Sequence, residues 1–325
     1  MSSLLKHVMS LFLCVAGVGA AALAQEPART LRYDLQPGDH LVYEQHLESE
    51  SSGDPMESLI RRSWTNHALV LGEQRGGWLI GFQRNRTSFE LLRFKVRGQD
   101  RLREQQQTLN PLLKRTARFG EANRLTVSGA PQLSWQIVRE ASSKVLYDVH
   151  EFPPLPEQPV RVGDTWTAPT LLGFSFGALG WEVVQGEDCL HVEGEAEKRS
   201  LLWRYWFCPG SGMVRRLELA ATYRGMVRNT IHEKLVVELV ERRREEKVED
   251  WLVQPDLERG VLAALLVSDT LPVDLSLLYK RLDGSDAAVQ RMVLGLAYRR
   301  DLPPPGLDQV KTLLASDSAR VRTLA

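Results

Sequence analysis

Charge of one sign is missing from this chain. Lys and Arg together number 41, and Asp and Glu also number 41. No basic field gathers nucleic acid or anionic lipid, and no acidic field gathers cations. Cysteine is scarce: Cys14, Cys189 and Cys208 are all there is. No Cys-x-x-Cys occurs, and no histidine pair stands at ligand spacing, so the common zinc and thiol-redox motifs are excluded. Catalytic motifs are lacking too. No Gly-x-Ser-x-Gly elbow offers a hydrolase nucleophile. His150-Glu151 and His232-Glu233 lack the second His of a metalloprotease helix. The glycine-rich residues 173–180 lack the Lys-Ser/Thr of a phosphate loop. His40, His46, His67, His150, His191 and His232 are scattered and read as surface or strand residues. No catalytic, metal-binding or cofactor-binding residue is assigned, which points away from an enzyme.

Long apolar runs are also missing beyond the N-terminus. The best later stretch, residues 261–267, is cut short by Ser268 and Asp269. At the N-terminus, Lys6 and His7 precede an apolar run over residues 8–23. Ala22-Leu23-Ala24 then gives the small-x-small cleavage pattern, so residues 1–24 read as a signal peptide. The run is short for a transmembrane anchor, and Leu13 before Cys14 argues against a lipoprotein signal. The expectation is an exported protein, periplasmic or secreted, with no transmembrane segment after cleavage. In that compartment the remaining even pair, Cys189 and Cys208, favours a disulfide.

What is present is β patterning. Leu201, Trp203, Tyr205 and Phe207 alternate with Leu202, Arg204, Trp206 and Cys208. Pro209-Gly210-Ser211-Gly212 turns the chain, and Met213, Leu217, Leu219, Ala221 and Tyr223 share one parity of the return strand. Period-two alternation around such a turn is an antiparallel hairpin. With a preceding turn at Lys198-Arg199, Cys189 faces Cys208, Leu190 faces Phe207, Val192 faces Tyr205 and Glu193 faces Arg204. Complementary partners meet throughout one register, and a one-residue slip would scramble the faces.

The apolar content of 43% supports a packed core, and 325 residues fit two domains. Residues 25–250 read as an antiparallel β domain, with long strands over 59–71 and 78–94. Residues 99–107 suit a helix or an exposed loop. Residues 131–149 read as a helix on the spacing of Leu133, Ile137, Val145 and Val149. The Pro-rich residues 151–159 read as an extended connector. The fold class is therefore mainly β, a curved antiparallel sheet or partial barrel with one packed helix, followed by an all-α segment. Seven of the eight tryptophans lie between Trp64 and Trp206, which suits sheet and core packing, with stacking on sugars or lining a lipid cavity as the alternative. The charged residues 241–250 mark a boundary, and the period then becomes helical.

In residues 255–325, LDGSDAAVQRMV (282–293) aligns with LASDSARVRTLA (314–325). Leu282 matches Leu314, Ala287 matches Ala319 and Val289 matches Val321. The Asp/Ser loops suit helix N-caps. The pattern resembles HEAT-type repeats, and the last helix begins close to Ala325, as in a truncated array. Three further fragments carry a second resemblance: YDLQPGDHLVYE (33–44), FPPLPEQPVRVGDTW (152–166) and YWFCPGSGMVRR (205–216). Their order resembles an uncharacterised bacterial exported β-domain family, with its GDTW and YWF-x-PG-x-G-x-V hallmarks. That resemblance implies a periplasmic or surface β domain, loosely similar to the curved-sheet lipoprotein carriers, and transfers no functional residue.

These readings favour a non-enzymatic cell-envelope binding protein, with the helical repeats as a docking surface for a protein partner. One alternative is a carrier of lipid or another apolar ligand, the sheet wrapping the helix at 131–149 with Phe174, Phe176, Leu179 and Trp181 lining the cavity. Another is an accessory part of a larger exported hydrolase.

Overall fold

The computed structural model describes residues 27–74, 77–113, 118–125, 131–136, 151–168, 174–196, 200–225, 229–245, 247–268, 271–283 and 286–324. The signal peptide expected over residues 1–24 lies outside them. Among the described residues twelve strands form one sheet: β1 (Asp39–Ser52), β2 (Met56–Gln74), β3 (Gly77–Val96), β4 (Gln99–Asp100), β5 (Arg118–Leu125), β6 (Pro131–Gln136), β7 (Thr165–Ala168), β8 (Phe174–Val184), β9 (Glu187–Ala196), β10 (Ser200–Cys208), β11 (Met213–Arg224) and β12 (Thr230–Arg244). A helix, α1 (Leu102–Leu113), follows β4.

The strand order is β6-β5-β3-β2-β1-β12-β11-β10-β9-β8-β7, with β4 paired to β3. Every pairing is antiparallel. The first and last strands meet in the middle, with Leu47 opposite Leu235 and Gln45 opposite Val237. Their alternation explains the pairing. Tyr43, Gln45 and Leu47 are buried while Glu44, His46 and Glu48 are exposed, the pattern of a strand with one covered face.

This order makes β6 and β7, neighbours in sequence, the two opposite edges of the sheet. A chain running from one edge to the other has to cross a face, and residues 151–156 are buried. The extended connector read over residues 151–159 is therefore laid over the sheet as a strap, its first six residues buried and residues 157–159 exposed. Phe152 packs edge-on against Tyr33, Tyr43 and Phe82 at centroid distances of 5.2, 6.3 and 6.0 Å. Phe152 and Leu155 join the largest core cluster, with Leu41, Phe82, Phe176, Tyr205 and Phe207.

The helix expected over residues 131–149 is corrected: Pro131–Gln136 is strand β6, with Trp135 opposite Ala122 and Leu133 opposite Arg124. Leu133 and Trp135 fit a period of two as well as a helical face. Ile137, Val145 and Val149, which favoured the helix, lie outside the described residues. Residues 99–107 divide between β4 and α1.

The opposite face of the sheet carries the C-terminal helices. A 3-10 turn (Val248–Val253) leads to α2 (Glu258–Val267), α3 (Leu275–Lys280), α4 (Ala287–Arg299), α5 (Leu307–Leu314) and α6 (Ala319–Leu324). Leu69, Leu71 and Leu79 of the sheet form one core with Trp251, Leu257, Val261, Leu265 and Val293. Asp274 caps α3 by accepting from the Ser276 and Leu277 amides, and Asp286 caps α4 in the same way. Among the described residues no helix is long and apolar enough to cross a membrane.

Candidate functional site

The strap has a polar centre. Tyr43, Asn66 and Arg84 stand in line across β1, β2 and β3, and Gln45 lies two residues beyond Tyr43. Glu151 enters from the strap. Its Oε1 accepts from Gln45 Nε2 and Asn66 Nδ2, and the Arg84 guanidinium lies 3.8 Å away. Glu151 is 1% exposed. A carboxylate so deep is tolerable only with donors and an opposite charge around it. Among the described residues, Glu151 Oε2, Asn66 Oδ1 and the Tyr43 hydroxyl are buried without a hydrogen-bond partner. Burial first, and the Glu151 charge second, push the Tyr43 phenol well above its ordinary range.

The strap's backbone is satisfied by the same logic. Pro153 and Pro154 carry no N–H to strand in an apolar core, so only their carbonyls need partners. Tyr33 Oη donates to the Pro153 carbonyl at 2.7 Å, and Tyr205 Oη donates to that of Pro154 at 3.2 Å. Glu151 and the two tyrosines thus hold the segment by side chains. This arrangement anchors a chain. A carboxylate sealed at 1% exposure does not offer the reach to substrate that general acid–base chemistry needs.

The sequence register around the cysteines matches the structure. Phe207 faces Leu190, Tyr205 faces Val192 and Arg204 faces Glu193, with Arg204 Nε 2.6 Å from Glu193 Oε2. Cys189 and Cys208 form a disulfide between β9 and β10, and both are fully buried. Beside it Trp206 stacks on His191 at 4.6 Å, and Glu182 accepts from Trp206 Nε1 at 2.8 Å and contacts His191 Nδ1 at 2.9 Å.

The four residues expected to line an apolar cavity are distributed differently. Phe174 begins β8 opposite Ala196. Phe176 is buried, stacked with Trp166 at 5.9 Å and edge-on to Trp203 and Tyr205. A bulge between Ala178 and Gly180 then shifts the register, and Leu179 is 52% exposed. Trp181 packs on the core rim with the Arg29 guanidinium 4.3 Å over its ring. Phe176 and Trp181 therefore belong to the strap-side core, while Leu179 faces out. Gly194 sits where Phe176 crosses β9: a Cβ there would lie 2.3 Å from the ring.

On the helix side, a second polar arrangement joins sheet and helices. Gln83 of β3 is fully buried. Its Oε1 accepts from the backbone amides of Arg259 and Gly260, at 2.8 and 3.2 Å, and its Nε2 donates to the Pro255 carbonyl at 3.2 Å. Nearby, His40 Nε2 lies 2.9 Å from His67 Nδ1. Burial, more than the neighbouring charges, lowers His40 to about 4 and also lowers His67.

Sequence reasoning passed over Glu151, Gln83 and the His40–His67 pair. A signal for the first two existed. Gln45 shares its strand parity with Tyr43 and Leu47, Asn66 with Trp64 and Ala68, and Gln83 with Leu79 and Gly81, and a buried amide needs a partner.

No family model matches the chain, and no curated protein matches it. Among solved structures, a DUF1329 family protein from Desulfovibrio piger aligns with a TM-score of 0.23 and 11% identity, covering 68% of this chain and 91% of the other. A β-barrel-like protein of the DUF1849 domain from Brucella abortus aligns with a TM-score of 0.19 and 9% identity, covering 66% and 100%.

Proposed function

We propose that this chain is a non-enzymatic binding protein of the cell envelope, in which the sheet serves as a rigid platform and the C-terminal helices meet a protein partner. The observation that carries this reading is an asymmetry within the helical segment. On its sheet side, Gln83 closes the start of α2 and Leu69, Leu71 and Leu79 pack beneath it. Elsewhere on the segment, Tyr298, Leu307 and Leu314 are 88%, 70% and 53% exposed. Apolar side chains held out from an anchored support are what a partner-binding face requires. The repeated 282–293 and 314–325 segments support a HEAT-like unit. Asp286 caps α4, and Ser318 at the matching place accepts from the Val321 amide at 3.4 Å. Export is supported by the leader-like residues 1–24 and by the disulfide.

Deleting the helices is a poor test, because it would bare Leu69, Leu71 and Leu79. Leu307→Glu combined with Leu314→Glu charges only exposed positions. Capture from an envelope extract with the unaltered protein is expected to yield a stoichiometric partner that the double variant loses while its melting temperature holds. Equal capture by both proteins ends this reading.

A second reading, an apolar-ligand carrier, draws on the buried aromatic cluster of Phe176, Trp203 and Tyr205. The strap occupies the adjoining surface, so a ligand would have to share that space. Native mass spectrometry after mild extraction is expected to show a co-purifying lipid on this reading; a ligand-free mass removes it.

A further inference from the structure

Two imidazoles lie beneath the first contact between the sheet and the helices. His40 on β1 is 5% exposed, and its Nε2 is 2.9 Å from Nδ1 of His67 on β2. The two are diagonal neighbours, since His40 pairs with Leu69 while Val42 pairs with His67. The indole of Trp251 stands edge-on to the His40 ring at 6.0 Å. Trp251 is fully buried and belongs to the 3-10 turn that carries the chain from β12 toward α2.

An N···N contact of this length holds one hydrogen, donated by one ring to the lone pair of the other. The charged groups that bear on it are Glu241 and Arg243 from β12 and Asp256 from the segment ahead of α2. Glu241 favours a proton on His40 and Asp256 favours one on His67, while Arg243 opposes both. One added proton keeps the bond, as N–H⁺···N. A second leaves two N–H donors facing each other and two cations in contact beside Arg243. The rings must then part, and Trp251 rests on one of them.

We infer that the His40–His67 pair is an acid-released latch: with both rings charged, the 248–253 turn and the start of α2 lift from β1 and β2 while the rest of the sheet stays folded. The sign follows from burial. A histidine whose folded-state pKa is lowered contributes stability fully above its unfolded value near 6.5, and that contribution fades as pH falls toward the folded value. For His40 that value is about 4, so the latch is shut at neutral pH and opens in the acid range below.

Hydrogen exchange on the full chain tests this, with protection factors corrected for the intrinsic effect of pH. Peptides covering residues 248–267 are expected to lose about 50-fold in protection between pH 7 and pH 4.5, the change that one ring produces when it titrates near 6.5 released and at about 4 latched. Peptides from β11 should hold. The double variant His40→Gln, His67→Gln is expected to abolish most of that loss. Simultaneous loss in both regions, no loss at 248–267, or an undiminished loss in the variant overturns the latch. If the variant does not fold, NMR titration of the two rings in the unaltered protein decides. A Trp251 indole resonance that shifts as the second ring takes its proton supports the latch, and an indole resonance unmoved while both rings charge rules the latch out.

Discussion

Gln83 Oε1 lies 2.8 Å from the backbone nitrogen of Arg259, so a strand side chain closes the N-terminus of a helix 176 residues later. The residue at the N-cap position of α2 is Leu257, which has no side-chain oxygen to offer. The first amides of a helix have no partner within it, and here the sheet provides one. Gln83→Leu keeps the volume and removes the acceptor. It is expected to cost about 1–3 kcal/mol, seen as a lower urea midpoint and as faster proteolysis within residues 247–268. An unchanged midpoint would mean that water caps α2 equally well.

The same contact is fixed sterically two residues earlier on the strand. A Cβ on Gly81 would sit 2.3 Å from the Gly260 carbonyl oxygen. Both atoms belong to elements that cannot yield by a rotamer change. Gly81→Ala is therefore expected to destabilise by more than Gln83→Leu, because backbone has to move. Thermal melting of the two variants side by side gives the order; the reverse order would place the helix farther from β3 than described.

Arg300 closes the other end of α2. Its guanidinium donates to the Leu265 and Leu271 carbonyls at 2.7 Å each and to the Ser268 carbonyl. These oxygens lie in and just after the last turn, where a helix lacks internal donors. Arg300→Lys keeps the charge but presents one ammonium in place of a planar fork. It is expected to cost about 1.5–3 kcal/mol in denaturant unfolding. A lysine variant as stable as the parent would show that charge alone suffices there.

The disulfide and its register were legible because strand pairing repeats every two residues and two constraints of different chemistry, Cys189–Cys208 and Glu193–Arg204, agree on one alignment. The strap was not legible. Proline marks a break in regular structure, and breaks are usually at the surface. Only the strand order, which puts β6 and β7 on opposite edges, requires the segment to cross a covered face. The stretch Pro131–Gln136 fits both periods over so few residues, so the longer pattern misled. The His40–His67 contact spans two strands, and nothing local in either strand announces it.

The disulfide closes a loop of 19 residues, across strands that the hairpin already pairs. Replacing both cysteines by alanine is expected to cost about 2–4 kcal/mol, mainly by freeing the unfolded chain. Because both sulfurs are fully buried, the folded protein should also resist thiol reductant until denaturant is added. Alkylation that labels both cysteines in the native, unreduced protein would refute the bond.

Glu151 gives the sharpest test of the strap. Its Oε1 is shared by the amides of Gln45 and Asn66 with Arg84 close by. Removing a buried charge from its partners costs more than the pair itself was worth, because the donors remain in the core unpaired. Glu151→Leu is expected to cost about 3–5 kcal/mol. Glu151→Gln keeps an acceptor oxygen for both amides and loses only the charge opposite Arg84, so it should cost less. Urea unfolding ranks the two, and limited proteolysis within residues 151–159 shows whether the strap has come away. If the leucine variant matched the parent in stability and in resistance to cleavage, Glu151 would not be the anchor, and the hydroxyls of Tyr33 and Tyr205 would hold the segment alone.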